Sequence, residues 1–256
     1  MATANRGLAD LAREIAVSLV SRDEALAHQA AEELMGLLVN GDDGESAPSN
    51  ARQTELGGVP ELRRALSHML QKGSDQGRYY GCVALSYLLH GHTDNIRLFG
   101  NTPGIFQGVY ASLDRPPSRG LACGLLSQLA FGDRENCGRI GASPEILERL
   151  ASIMQDEEPG DQQAATCALS NCAANSLELA LKIVAVPGAL EGITRLCELP
   201  RAGDTVRDAR TGVSAVGCID NLSVHEEVRP YLQKGRVLAA LRPIMGLRGG
   251  GGGGGG

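Results

Sequence analysis

The sequence predicts an all-α chain of stacked, repeated helical units, and three observations predict it. Four similar segments recur at near-regular spacing, Gly and Pro breaks separate stretches of helical apolar periodicity, and the composition is poor in aromatics. The chain has 256 residues, of which 43% are apolar and 21% charged, with five Tyr, three Phe and no Trp. That is enough chain for a sizeable core. Such a core must be assembled from Leu, Ile, Val and Ala, which suits closely packed helices better than a sandwich or barrel.

The recurring segments are Gly81 to Leu89, Ala122 to Ala130, Ala165 to Ala173 and Val216 to Ser223, aligned on Tyr87, Gln128, Asn171 and Asn221. These four residues are separated by 41, 43 and 50 positions, and a weaker copy at Glu33 to Leu38 precedes the first by another 50. Periods of this size mark helical solenoids.

Taken in order, Leu8 to Val20 is an amphipathic helix carrying Asp10, Arg13 and Glu14. Ser21-Arg22-Asp23-Glu24 has capping-box spacing and opens Asp23 to Val39. Arg52 to Leu56 and Pro60 to Gln71 flank the break at Gly58-Val59-Pro60, and Gln76 to His90 holds the Tyr87 segment. Thr93 to Phe99 leads through Pro103-Gly104 into Gly104 to Leu113, followed by Ser118 to Phe131. Arg134 to Ile140 leads through Gly141 and Pro144 into Pro144 to Met154 and then Asp161 to Ala174. Leu177 to Ala185 leads through Pro187-Gly188 into Gly188 to Glu198 and Asp204 to Ser223, and the chain finishes on His225 to Gln233 and Val237 to Met245. At the breaks Gly supplies a left-handed cap and Pro opens the following helix. The 50-residue intervals contain insertions, Asn40 to Asn50 and Glu198 to Asp208, and surface loops lengthen at small thermodynamic cost.

With a short helix, a break and two longer helices per unit, the sequence resembles the armadillo repeat family. Gly58-Val59-Pro60-Glu61-Leu62 matches that family's break before the second helix, and Ala168-Leu169-Ser170-Asn171 its third-helix segment. The resemblance covers roughly residues 8 to 246. It implies an armadillo-like right-handed superhelix of about five three-helix repeats. The expected domain is 1–246, with units near 1–40, 50–91, 92–132, 133–175 and 176–224 and an incomplete one at 225–246; residues 247–256 form a flexible poly-Gly tail.

The resemblance further implies that Tyr87, Gln128, Asn171 and Asn221 point into a concave groove. Residues four and seven positions earlier share their helix face, which adds Tyr80 and Val83, Leu121 and Gly124, Ala164 and Cys167, and Ser214 and Gly217. The candidate partner-binding residues are therefore Tyr80, Tyr87, Gln128, Asn171, Ser214 and Asn221. Each amide offers a donor and an acceptor to an extended peptide backbone; the competing reading is that the amides satisfy helix-terminal groups of their own or the neighbouring repeat. Tyr80 and Tyr87 form either a binding hot spot or ordinary packing between repeats. In the nuclear-import receptors of this superfamily a Trp four residues before the Asn builds the peptide slots. Here those positions hold Val83, Gly124, Cys167 and Gly217, which disfavours a receptor for nuclear-localisation signals and leaves a wider groove, better suited to a partner helix.

Other function classes are disfavoured. A formal net charge of −6 argues against an electrostatic grip on nucleic acid. No apolar stretch approaches the roughly 20 residues of a membrane span, and the N-terminus lacks a signal-peptide core, so a cytoplasmic or nuclear protein is expected. Seven Cys cannot all pair internally, and those in Ala- and Gly-rich helices read as structural thiols. His90-Gly91-His92 has no further ligands at zinc spacing, and no phosphate loop, dinucleotide fingerprint or metalloprotease motif occurs. No catalytic residue, metal or cofactor is expected. The expected function is a non-catalytic scaffold or adaptor for a partner protein or peptide. The alternative is a regulatory or substrate-recruiting module of a larger catalytic assembly, such as a small-GTPase exchange stimulator or a ubiquitin ligase. Outward-facing Leu238, Leu241 and Ile244 predict continuation of the chain, a covering partner or self-association.

Overall fold

The computed structural model describes residues 7–39, 48–155, 158–198, 206–234 and 237–241, and among them only helices, turns and bends occur. The chain divides into two compact units, Met1–Ile146 and Leu147–Gly256. The first holds α1 (Leu8–Leu19), α2 (Glu24–Val39), α3 (Asn50–Gly58), α4 (Pro60–Lys72), α5 (Asp75–Leu89), α6 (Thr93–Gly100), α7 (Ile105–Leu113), α8 (Pro116–Ala130) and α9 (Arg134–Gly141). Helix α10 (Pro144–Ile153) crosses the boundary. The second holds α11 (Pro159–Asn175), α12 (Leu177–Ala185), α13 (Ala189–Cys197), α14 (Val206–Ser223), α15 (Arg229–Lys234) and α16 (Val237–Leu241).

Within the first unit like packs on like. Short first helices pair as α3 on α6, second helices as α1 on α4 and α4 on α7, third helices as α2 on α5 and α5 on α8. In the second unit α11 packs on α14 and α13 on α16. The core is Leu, Ile, Ala and Cys throughout, and Phe99 is the one aromatic ring among the buried core residues.

The helix ends follow from local chemistry. Pro60 and Pro144 open α4 and α10 as expected; Pro116 and Pro159 do the same for α8 and α11, starting both two residues before the positions expected from apolar periodicity, because a fixed φ and a missing N–H are no handicap in a first turn. Gly104 and Gly188 precede α7 and α13 with φ of 83° and 81°, the left-handed conformation that a side chain disfavours. The Ser21 capping box does not form. Asp23 is the cap of α2, its Oδ1 accepting from Ala25 N at 3.0 Å, while Ser21 Oγ takes the N–H of Asp23. Asp23, directly before the first turn, is within reach of its free N–H groups, whereas Ser21 lies two residues farther out.

Cap residues of the first helices align across the repeats. His92 Nδ1 accepts from Asn95 N, Asp133 Oδ1 from Asn136 N, and Ser176 Oγ from Leu179 N. His92 is therefore a buried cap, its Nε2 2.8 Å from Thr54 Oγ1.

The third residue after each of the first two caps carries the contact that joins neighbouring repeats. Asn95 Nδ2 donates to Gln53 O of α3 and to Leu88 O of α5, both at 2.8 Å. Asn136 Nδ2 repeats this one unit later, donating to Ile96 O of α6 at 3.2 Å and Leu129 O of α8 at 3.0 Å. Gln53 Nε2 similarly reaches Tyr87 O and His90 O. Each amide thus satisfies carbonyls at the C-terminal end of a third helix, which have no intrahelical partner. Glycine makes the approach possible: a Cβ on Gly57 would lie 2.1 Å from Asn95 Oδ1, and one on Gly100 1.9 Å from Asn136 Oδ1.

Asn95→Ala or Asn136→Ala strands the buried terminal carbonyl of Leu88 or Leu129 and is expected to cost about 1–3 kcal/mol, measured by urea denaturation. Gly100→Ala is expected to destabilise comparably by displacing the Asn136 amide, whereas Arg97→Ala, at an exposed neighbour, should change stability by less than about 0.5 kcal/mol.

Candidate partner-binding surface

Third helices present one open face in each unit. On α5 the accessible residues are Tyr79, Tyr80, Val83, Tyr87 and, just beyond its end, His90; on α8 they are Leu121, Gly124 and Gln128, ending at Phe131. In the second unit Ala164, Cys167 and Asn171 of α11, and Ser214, Gly217 and Asn221 of α14, are likewise half-buried or exposed. The 3.6-residue period returns these positions to one side of each helix, and the apolar residues between them are buried.

The individual side chains differ in what they touch. Tyr80 leans toward α2, with its hydroxyl 3.2 Å from Glu32 Oε1 and its ring 5.1 Å from that of His28. Tyr79 meets the Tyr80 ring edge-on at 5.7 Å and is 40% exposed. The geometry is that of an aromatic pair with a polar tip held by a carboxylate. Tyr87 is half-buried on the same face. Gln128 has a buried Oε1 with no hydrogen-bond partner among the described residues.

In the second unit the polar candidates are engaged with the protein. Asn221 Nδ2 donates to Ser170 O at 3.2 Å and Ser170 Oγ at 2.9 Å, bridging α14 to α11. Ser214 Oγ donates to Arg210 O and receives the Cys167 thiol at 3.5 Å. Asn171 is half-buried, and its carbonyl accepts from Asn175 Nδ2 at 2.8 Å. Gly124 and Gly217 face open space: no atom lies within 4 Å of a Cβ built on either, so both leave shallow floor between the third helices.

Two positions on these faces escaped the sequence reading. Eight residues before the aligned residue stand Tyr79 and Val213, and three residues after it stand Phe131 and Val224. Val213, Phe131 and Val224 are 74%, 67% and 59% exposed. Their signal was present in the sequence as the same repeat offsets, but an apolar residue at a helix end is indistinguishable from core until the neighbouring helix is in place.

The buried thiols Cys82, Cys197 and Cys218 offer no chemistry to this surface. Burial pushes Cys82 up to about 12 and Cys197 up to about 11, and raises Cys218 as well. All three stay protonated at neutral pH and lack the thiolate needed for attack or metal binding. No group of three His, Cys, Asp or Glu residues able to hold a metal occurs among the described residues, and no helix there is long and apolar enough to cross a membrane.

Cys167 is the one half-exposed cysteine of the seven. Native-state iodoacetamide labelling read by peptide mass spectrometry should modify it first, with Cys82 and Cys218 protected until unfolding. A pH dependence follows from the same burial. Below about 9, folded and unfolded thiols are both protonated; above it the unfolded thiols ionise while the folded ones hold their protons, so alkali favours the unfolded state. The urea midpoint should fall as pH rises from about 9 toward 12, and Cys82→Ala should make that fall shallower.

No protein-family model matches the chain, and no curated protein does. Solved structures do. A designed armadillo repeat protein in complex with the peptide (KR)4 is 18% identical with a TM-score of 0.77, over 93% of this chain and 93% of that one. A computationally designed armadillo repeat protein for modular peptide recognition is 19% identical with a TM-score of 0.76, over 91% of this chain and 92% of that one. An engineered protein is 17% identical with a TM-score of 0.77, over 91% of this chain and 90% of that one.

Proposed function

We propose, from the armadillo-like helical repeat fold that this chain shares with those structures, that it is a non-catalytic scaffold binding a partner protein or peptide on its third-helix faces. The observation that carries the reading is the exposed aromatic and aliphatic surface there: Tyr79 and Phe131 in the first unit, Val213 and Val224 in the second. Exposed large apolar side chains on and at the ends of third helices of each unit fit a contact surface. Solved structures of the same fold point the same way, one holding a peptide and another designed for modular peptide recognition.

The candidates divide by role. Tyr80 and Tyr87 supply contact area with a polar tip, the side-chain type that dominates interface hot spots. Gln128 holds an unpaired buried acceptor, whose cost of about 1–3 kcal/mol a turn of the carboxamide toward a ligand N–H would relieve. Asn221 spends its donors on Ser170, so it would offer a ligand only its carbonyl oxygen, and Asn171 and Ser214 are secondary contacts.

The test is selection from a phage-displayed peptide library on the intact chain. Enriched peptides should bind the Tyr79→Ala/Tyr80→Ala/Tyr87→Ala variant about tenfold or more weakly, with its helical circular dichroism unchanged. Peptides that bind that variant and Phe131→Ala as well as they bind the original chain would overturn the reading for the first unit, and equal binding to Val213→Ser/Val224→Ser would overturn it for the second.

A further inference from the structure

A second feature of the first unit lies at the helix turns rather than on the third-helix faces. A cleft of about 290 Å³ opens between the end of α1 and start of α2 on one side and the end of α4 and start of α5 on the other. None of Tyr80, Tyr87 and Gln128 lines it. Its floor is apolar, made by Leu19, Ala27 and Met69, each buried. Arg22, His28, His68 and Lys72 line it as well, and the His28 ring lies 5.1 Å from that of Tyr80.

Arg22, His68 and Lys72 share this cleft in an acidic chain. Elsewhere in the unit Arg13 pairs with Asp10, Arg64 with Glu61, Arg115 with Asp75 and Arg139 with Glu135. Arg22, His68 and Lys72 are exposed, and none has an ion pair or side-chain hydrogen bond to a described residue. Two elements bring them together: Arg22 comes from the α1–α2 turn, while His68 and Lys72 sit one turn apart on α4 and so share a face. Glu24 is the carboxylate among the lining residues, and Arg22 with Lys72 outweighs it.

We propose that this cleft binds a phosphate monoester carried on an aromatic or aliphatic body. A phosphate offers three acceptor oxygens and up to two negative charges to three separate donors, while the organic part covers Leu19 and Met69. The volume suits such a group, since small-molecule pockets begin near 300 Å³. Both a free ester and the phosphorylated side chain of a partner segment have this chemistry.

Isothermal titration of the full chain with phenyl phosphate tests the assignment. Saturable binding is expected, with no binding of phenol. Arg22→Ala/Lys72→Ala should weaken it by about tenfold or more, Glu24→Gln should tighten it about threefold, and Arg97→Ala on α6 should leave it unchanged. All of these side chains are exposed, and circular dichroism checks that the variants keep their fold. A blocked phosphotyrosine that binds more tightly than phenyl phosphate assigns the site to a partner's side chain; weaker binding assigns it to a free ester. Absence of saturation up to ~10 mM phenyl phosphate, equal binding of phenol, or full affinity in the Arg22→Ala/Lys72→Ala variant overturns the proposal.

Discussion

A buried carboxamide at the start of a short helix is the contact on which the repeat geometry of the first unit depends. Asn95 and Asn136 each join a first helix to the preceding first helix and to the end of the preceding third helix. A stacked helix pair would otherwise leave the last carbonyls of the third helix facing a neighbour that offers only methyl groups. Hydrophobic burial sets how much of each helix is covered but is indifferent to register. A two-donor amide is not, because its reach fixes the neighbour to within a few tenths of an ångström. Gly57 and Gly100 are the necessary counterparts, since a methyl group on either would occupy the carboxamide's place.

The second unit replaces this device. Leu179 stands where Asn95 and Asn136 stand, and the junction between its third helices relies instead on Asn221 reaching Ser170, with His225 Nε2 2.8 Å from Ala173 O. An amide has moved from the first helix to the third, from a fully buried position to a half-exposed one. That shift bears on function: an amide engaged in joining repeats has fewer groups left for a ligand, whereas in the first unit the internal amides do the joining and the open faces of α5 and α8 are left to tyrosines and Gln128.

Stacking also explains why the accessible surface is where it is. Helix α5 buries its Leu, Ala and Cys positions against α2, α8 and the second helix α4, leaving a stripe about two residues wide. Whatever stands at the repeat-specific offsets on that stripe is displayed at nearly constant spacing. The turns on the other side are displayed equally regularly, and there the first unit carries its unpaired cations.

The sequence by itself determined the helices, their order and the repeat, because apolar periodicity, Gly-Pro breaks and the 41- to 43-residue spacing are local or nearly local signals. All sixteen helices expected from it have counterparts, with errors confined to ends such as Pro116, where a proline that reads as a break is in fact a first turn. Tyr80, Tyr87, Gln128, Asn171, Ser214 and Asn221 follow from the resemblance together with the 3.6-residue period, and all six are half-buried in the structure. Tertiary structure alone decided what each polar side chain does there. Asn95 and Asn136 carry no mark in the sequence, and Asn221 stays open between an amide for a ligand and one that satisfies a neighbouring repeat, since a hydrogen bond to a carbonyl 40 to 51 positions away leaves no trace in local pattern. The same holds for Arg22 and Lys72, whose shared cleft exists only once α1 and α4 lie side by side.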